Sequence, residues 1–291
     1  MSKYTIIIPH YNDVKRAKKL IDSLGKQKVE HEAIIVDDYS PLEVYKELAE
    51  IARGKVRLIR APKNAGPATA RNIGIGKAEG EYIIFTDSDC IVPENWLELI
   101  DDFYSHKDNE NKILQGRAHM LSSTAVGESI SDLGFPAGAS IGFEKIWPVK
   151  ANGETRQLVT CNCVIPKKVL DKVGLFDTSM PVQFGEDTIM GLNIINNDYK
   201  IIYNKNVFIY HPARDSFKSF LKWVWIRGKG AYYFKKKNSS PAGSFIKTRL
   251  WSSKNVLVHG LKTIRFPLVA IFLFLYLFLF YLSFITEKIK N

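Results

Sequence analysis

The sequence predicts an α/β fold, a mixed sheet flanked by helices, followed by one helix long enough to cross a membrane. Three observations carry this. Short, continuously apolar runs alternate with stretches of helical spacing through roughly the first hundred residues, as buried parallel strands alternate with crossover helices. The apolar runs end in acidic or glycine-containing turns, which is where an open α/β sheet binds its ligands. Finally, Phe266–Thr286 holds no charged residue.

Tyr4–Ile8 reads as the first strand and Pro9–Asn12 as the loop that ends it. Asn12 or Asp13 can cap the following helix, in which Val14, Ala17, Leu20, Ile21 and Leu24 recur at helical spacing. Ala33–Val36 is a second strand ending in Asp37 and Asp38, and Ser40, Pro41 and Glu43 start the next helix. Either aspartate can face the ligand crevice or serve as a cap. A third strand, Val56–Ile59, leads to Asn64, Gly66 and Pro67, a turn into a helix N-terminus whose free N–H groups suit an anion. Arg71, one turn along, can pair with a phosphate or be an ordinary helix charge.

The fourth strand, Tyr82–Phe85, ends in Asp87, Ser88 and Asp89. If the segment stays extended, Asp87 and Asp89 point one way and Ser88 the other. Two convergent carboxylates suit Mg²⁺ or Mn²⁺ bridged to substrate phosphates, although loop aspartates also serve as turn formers. A helix from Glu94 to Phe103 and a strand from Ile113 to Leu121 follow. Between Ser122 and Thr155 periodicity fades, and a long irregular insertion is expected, of a length that in compact proteins is usually either functional or mobile. Leu158–Ile165 is strand-like, with Cys161 and Cys163 as small core residues. Glu186 and Asp187 open a helix running through Leu192 and Ile195, and His211 follows the apolar run Val207–Tyr210.

Charge is unevenly placed. Between Arg214 and Arg265 thirteen Lys or Arg face the single acid Asp215, so the net charge of +11 belongs to this segment. Its aromatic and basic residues, from Phe217 to Phe234, fit either the headgroup region of a membrane or a helix packed on the N-terminal domain. Next comes the apolar Phe266–Thr286, and about 20 helical residues at ~1.5 Å each cross a hydrocarbon core. The basic flank holds the N-terminal domain in the cytoplasm and sends the tail 287–291 across, so membrane lipids rather than nucleic acid are the expected partner. Three cysteines without zinc-ligand spacing, and an N-terminus without a signal-peptide pattern, agree with a reduced, cytosolic setting.

Four motifs in order, Pro9-x-Tyr11-Asn12, Val36-Asp37-Asp38-x-Ser40, Asn64-x-Gly66-x-x-x-Ala70-Arg71-Asn72-x-Gly74 and Asp87-x-Asp89, resemble those of family 2 glycosyltransferases with the GT-A fold. The resemblance covers most of residues 4–211 and includes Asn162, Gly174-x-Phe176-Asp177 and Glu186-Asp187. It implies a nucleotide-sugar half to about residue 110 and an acceptor half over about 111–213, which the basic segment 214–265, the apolar span 266–286 and the tail 287–291 follow. It implies donor contacts from Pro9, Tyr11, Asn12, Asp37, Asp38, Asn64, Gly66, Arg71, Asp87 and Ser88. The metal, Mn²⁺ or Mg²⁺, falls to Asp89 and Asp87, with His211 completing the shell, and Asp187 becomes the base with Glu186 beside it. Tyr39 stands where relatives commonly carry Gly, and Asn193 where many carry Arg.

The expected activity is therefore inverting transfer of a sugar from a nucleotide-sugar donor, UDP-linked, to a lipid-linked saccharide or cell-surface glycan. A catalytically inactive, membrane-tethered sugar-nucleotide binding or scaffolding protein is the alternative from another class, and a nucleotidyltransferase is a third.

Overall fold

The computed structural model describes residues 2–121, 124–181, 185–237 and 242–291, the last stretch without the side chains of 242–246. Its chain runs β1 (Tyr4–His10), α1 (Val14–Leu24), β2 (His31–Asp37), α2 (Leu42–Ala52), β3 (Arg57–Arg60), α3 (Pro67–Ile75), β4 (Tyr82–Thr86), α4 (Trp96–Ser105), β5 (Ile113–Leu121), α5 (Ala125–Ser131), α6 (Phe143–Ile146), β6 (Glu154–Thr155), β7 (Asn162–Pro166), α7 (Lys167–Val173), α8 (Glu186–Asn196), β8 (Ile201–Pro212), α9 (Phe217–Lys237), α10 (Ala242–Gly260) and α11 (Phe266–Lys290). The backbone divides into two compact units, 1–118 with 150–178 and 187–211, and 119–149 with 179–186 and 212–291.

The first unit is built on one sheet of order β3-β2-β1-β4-β7-β5-β8-β6. β3, β2, β1 and β4 are parallel, and β7 then pairs antiparallel to β4. The order turns back between β1 and β4, so their carboxyl ends flank the crevice in which open α/β sheets bind ligands. Apolar runs become these strands because both faces are covered: every residue of β4 is buried, and Phe85 packs with Phe176, Ile7 and Met190 in the core. Gly74 of α3 is part of that packing, since a Cβ there would lie 2.5 Å from Ile7 Cγ2.

Three local expectations change. Pro9 and His10 belong to β1 rather than to the loop after it, because Pro9 aligns with Val36 and His10 with Asp37 in the parallel ladder. The strand Tyr82–Thr86 stops before the two aspartates, and Asp87–Asp89 is a turn closed by the Cys90 N–H donating to Asp87 O at 3.1 Å. The two runs Lys200–Tyr203 and Val207–Tyr210 are one strand, β8, that carries His211.

In the second unit, the stretch expected to be irregular contains α5, whose N-terminus Thr124 caps, and α6. Both bury apolar residues, Ile130 and Ile146 among them, in a cluster with Phe220, Val256, Phe272 and Tyr276 of α9, α10 and α11. Partners more than seventy residues distant in sequence leave no local periodicity to read. α11 is the one helix among the described residues long and apolar enough to cross a membrane.

Candidate active site

At the end of β2 the acidic pair is enclosed. Asp37 is fully buried and takes Ser40 N–H at 3.0 Å, Ser40 Oγ at 2.5 Å and the His10 ring at 3.0 Å. Burial pushes its carboxyl up, but the hydrogen bonds from His10 and Ser40 outweigh it and hold the group below the ordinary aspartate range. Asp38, also buried, accepts from Ala65 N–H at 2.9 Å and Gly66 N–H at 2.8 Å, while Asn64 Nδ2 donates to Asp38 O at 3.0 Å. Gly66, at φ +87°, is where this approach needs a residue without a side chain. The anion suited to the start of α3 is thus met, at its approach, by the protein's own Asp38.

Around this frame the first loop is set. Asn12, at φ +57°, donates its N–H to Ser40 Oγ at 2.9 Å, and Asp13 rather than Asn12 caps α1. Pro9 is half-buried, and Tyr11 is exposed. Tyr39 has φ +62°, the left-handed region that favours glycine. The Arg60 guanidinium lies over the Tyr39 ring at 4.9 Å and the Tyr45 ring at 4.6 Å, holding the turn from outside.

The turn after β4 is different. Because it is a turn, Asp87 and Asp89 have different partners. Arg71, buried on α3 and lying against Phe176, donates to Asp87 Oδ1 at 3.0 Å. Asp89 Oδ1 lies 3.6 Å from His211 Nε2. This meeting of residues over a hundred apart is made by one bridge: Ile91 and Tyr210 exchange both backbone hydrogen bonds at 2.8 Å, which sets His211 beside the turn. Ser88 lies between the two aspartates, partly exposed.

Asp89, Cys90 and His211 present ligand atoms within 4.8 Å of one another. Burial raises the Asp89 carboxyl; His211 opposes the rise and Asp87 adds to it. A half-enclosed carboxylate beside an imidazole and a second carboxylate gains from a cation, and oxygen and imidazole donors fit Mn²⁺ or Mg²⁺. Cys90 fits these hard cations poorly as a ligand, because a soft thiolate suits other metals, and burial raises its thiol well above the usual range.

Asp187 stands at the start of α8. Its Oδ1 accepts the Thr188 N–H at 2.7 Å in the first turn of α8, whose first residue, Glu186, stands at the border between the units. Burial pushes the Cys161 thiol up, and the charges of Asp87, Cys163, Asp89 and Asp187 raise it further, so Cys161, at the entrance to β7, feels all three carboxylates. At Cys163 burial again dominates, opposed by Arg71 and reinforced by Asp187 and Asp87. Asn162, between the cysteines, is structural. Its side chain donates to Arg117 O and Val207 O and accepts from Trp96 Nε1 at 3.1 Å, and a Cβ on Gly116 would collide with it. Sequence reasoning passed over His10 and Arg60, whose only signal is adjacency to the Pro9–Asn12 loop and to the end of β3.

Comparison with known proteins agrees with this architecture. The chain is 34% identical over 115 residues to the poly(ribitol-phosphate) β-N-acetylglucosaminyltransferase TarS of Staphylococcus aureus, which is 36% of this chain and 20% of that one. The chain spans between about a fifth and two fifths of the first curated relatives it matches. Among solved structures, residues 1–349 of S. aureus TarS in complex with UDP-GlcNAc superpose with a TM-score of 0.56 at 18% identity, over 88% of this chain and 72% of that one. The mannosyltransferase PcManGT of Pyrobaculum calidifontis, in complex with GDP-Man and Mn²⁺, gives 0.60 at 14% identity, over 93% and 73%. At these identities the superpositions speak for the GT-A fold. The family model for glycosyl transferase family 2 matches residues 5–173, more than half of the chain, and with the order of strands and motifs described above this places the protein in glycosyl transferase family 2.

Proposed function

We propose that the chain is a metal-dependent, inverting glycosyltransferase that takes a sugar from a UDP-linked donor and passes it to a lipid-linked saccharide or cell-surface glycan, at the cytoplasmic face of a membrane to which α11 attaches it. The observation that carries the reading is the turn after β4, where Arg71 holds Asp87 at 3.0 Å and His211 stands 3.6 Å from Asp89, with the charge of Asp187 also felt at the neighbouring Cys161. The two S. aureus relatives named for transfer of N-acetylglucosamine to poly(ribitol-phosphate) support a sugar nucleotide and a polymeric acceptor.

In this reading Asp89, Asp87 and His211 would hold a divalent cation, and Asp87, fixed by Arg71, would with Ser88 also bind the donor. A bound divalent cation supplies charge neutralisation for the departing diphosphate. Pro9, Tyr11, Asn12, Asn64 and Gly66 border the base and ribose, while Asp37 and Asp38 act through the loops they hold. Asp187, with Glu186 beside it, accepts the proton of the acceptor hydroxyl as its oxygen bonds to the anomeric carbon and the bond to the diphosphate breaks. A single base opposite a single leaving group gives inversion.

The test is transfer from, and slow hydrolysis of, a panel of nucleotide sugars by the full chain in detergent with Mn²⁺ or with chelator. UDP release that needs the metal supports the reading. No turnover with any donor and acceptor, alongside donor-induced thermal stabilisation, would favour a binding protein instead, and pyrophosphate release would indicate a nucleotidyltransferase.

A further inference from the structure

Helix α11 is apolar on every side in sequence, but the fold puts its two sides to different uses. Val269, Phe272, Tyr276, Phe280, Ser283 and Glu287 recur at steps of three or four and are buried. Much of that face forms a seam with α9. Phe220 packs edge-on to Phe272 at 5.1 Å, Ser283 Oγ donates to Trp225 O at 2.7 Å, and Tyr233 Oη donates to Glu287 at 2.7 Å. Numbers rise together along both helices, so they run parallel, side by side. Gly228 brings them into backbone contact, since a Cβ there would stand 2.4 Å from Phe280 O.

That pairing constrains how α11 meets a bilayer. Upright through the hydrocarbon, it would carry Lys222 and Arg227 of α9 to its own depth, where charged side chains are costly, and set the Lys229–Glu287 ion pair at its end. The opposite side of α11 offers another arrangement. Ile271, Phe274, Phe278, Leu282, Ile285 and Ile289, again at steps of three or four, are 41–80% exposed. They form a stripe about 27 Å long at ~1.5 Å per residue, far beyond singly scattered surface apolars. Beside it an open groove of about 520 Å³ is lined by Leu221, Trp225, Ile226 and Leu279 together with Lys222 and Lys229. α11 supplies the apolar stripe and α9 the cations, so the pair together, rather than α11 alone, has the apolar and charged sides of an in-plane membrane element.

We propose that α11 lies along one leaflet of the membrane instead of crossing it. The exposed stripe sits among acyl chains, the lysines of α9 meet anionic phospholipid headgroups, and the C-terminus stays on the side of the catalytic unit. Charge complementarity selects this occupant over a second copy of the chain: the segment 214–265 carries thirteen Lys or Arg and one acid, so two such faces would repel. The inference rests on the membrane attachment proposed above and specifies its geometry.

The three native cysteines are buried, so engineered ones report topology. Full-length E47C and N291C proteins in sealed inside-out bacterial membrane vesicles are treated with a membrane-impermeant maleimide. Both are expected to label without detergent; labelling of N291C only after detergent overturns the proposal and restores a crossing. Independently, the triple variant F274E/F278E/I285E, altered only on the exposed side, is expected to move from the membrane pellet to the supernatant with an unchanged melting temperature. Its retention in the pellet overturns the proposal. So does a wild-type dimer in detergent that the triple variant abolishes while flotation with phosphatidylglycerol vesicles persists. Wild-type protein found wholly in the supernatant sinks membrane attachment itself, a failure distinct from a wrong geometry.

Discussion

Two strand ends in the first unit carry nearly the same sequence signal and do different things. β2 ends in Asp37-Asp38 and β4 in Asp87-Ser88-Asp89, both following apolar runs and both at the carboxyl edge of the parallel strands. At β2 both carboxylates are buried and matched by donors from His10, Ser40, Ala65 and Gly66. At β4 Asp87 and Asp89 stay partly open, engaged from one side by Arg71 and His211. A saturated carboxylate holds a loop in place, whereas a partly satisfied one keeps the capacity to bind something else. The difference lies in whether the neighbouring backbone supplies the missing donors.

Substitutions at the two ends should therefore separate activity from stability. The largest effect is expected at Asp89: D89N should cut turnover by about a thousandfold or more, the several kcal/mol that charge neutralisation at a leaving group contributes. It should also abolish Mn²⁺-dependent stabilisation by donor while the melting temperature of the apo protein changes little. Next, D187N should lower kcat by about 10²- to 10⁴-fold, the range of general-base catalysis, and leave the donor-induced thermal shift in place. If D187N loses donor binding instead, the carboxylate belongs with the donor set and the base lies elsewhere.

At the saturated end the balance reverses. D37N should destabilise the fold by about 2–3 kcal/mol, because His10 and Ser40 lose a charged buried partner, with the change seen in denaturant unfolding. Its pH dependence has a definite sign. The folded carboxyl lies below its unfolded value of about 3.9, so its contribution is fully present above that pH and fades as pH falls through the folded value. The stability gap between wild type and D37N should narrow only at such acidic pH; a gap closing near neutrality would point to a different titrating group. The smallest effect is expected at Tyr39. Y39G relieves a left-handed backbone but loses the Arg60 contact, two terms of about 1 kcal/mol each, so unfolding should move by less than about 1 kcal/mol. A loss well beyond that would show that Arg60 needs the ring to hold the end of β2.

The sequence by itself determined which segments become strands and helices, because continuous apolar runs and helical spacing are local properties. Tyr4–Ile8, Ala33–Val36 and Tyr82–Phe85 were legible in this way, and so was the apolar length of α11. It also set out the acidic residues from which a site can be made. Only the tertiary structure decided which of them are already satisfied, that the Ile91–Tyr210 bridge sets His211 beside Asp89, and that one side of α11 is spent on α9 while the other is left open. Hydrogen-bond saturation and burial depend on partners distant in the chain, and no local pattern records what those partners will be.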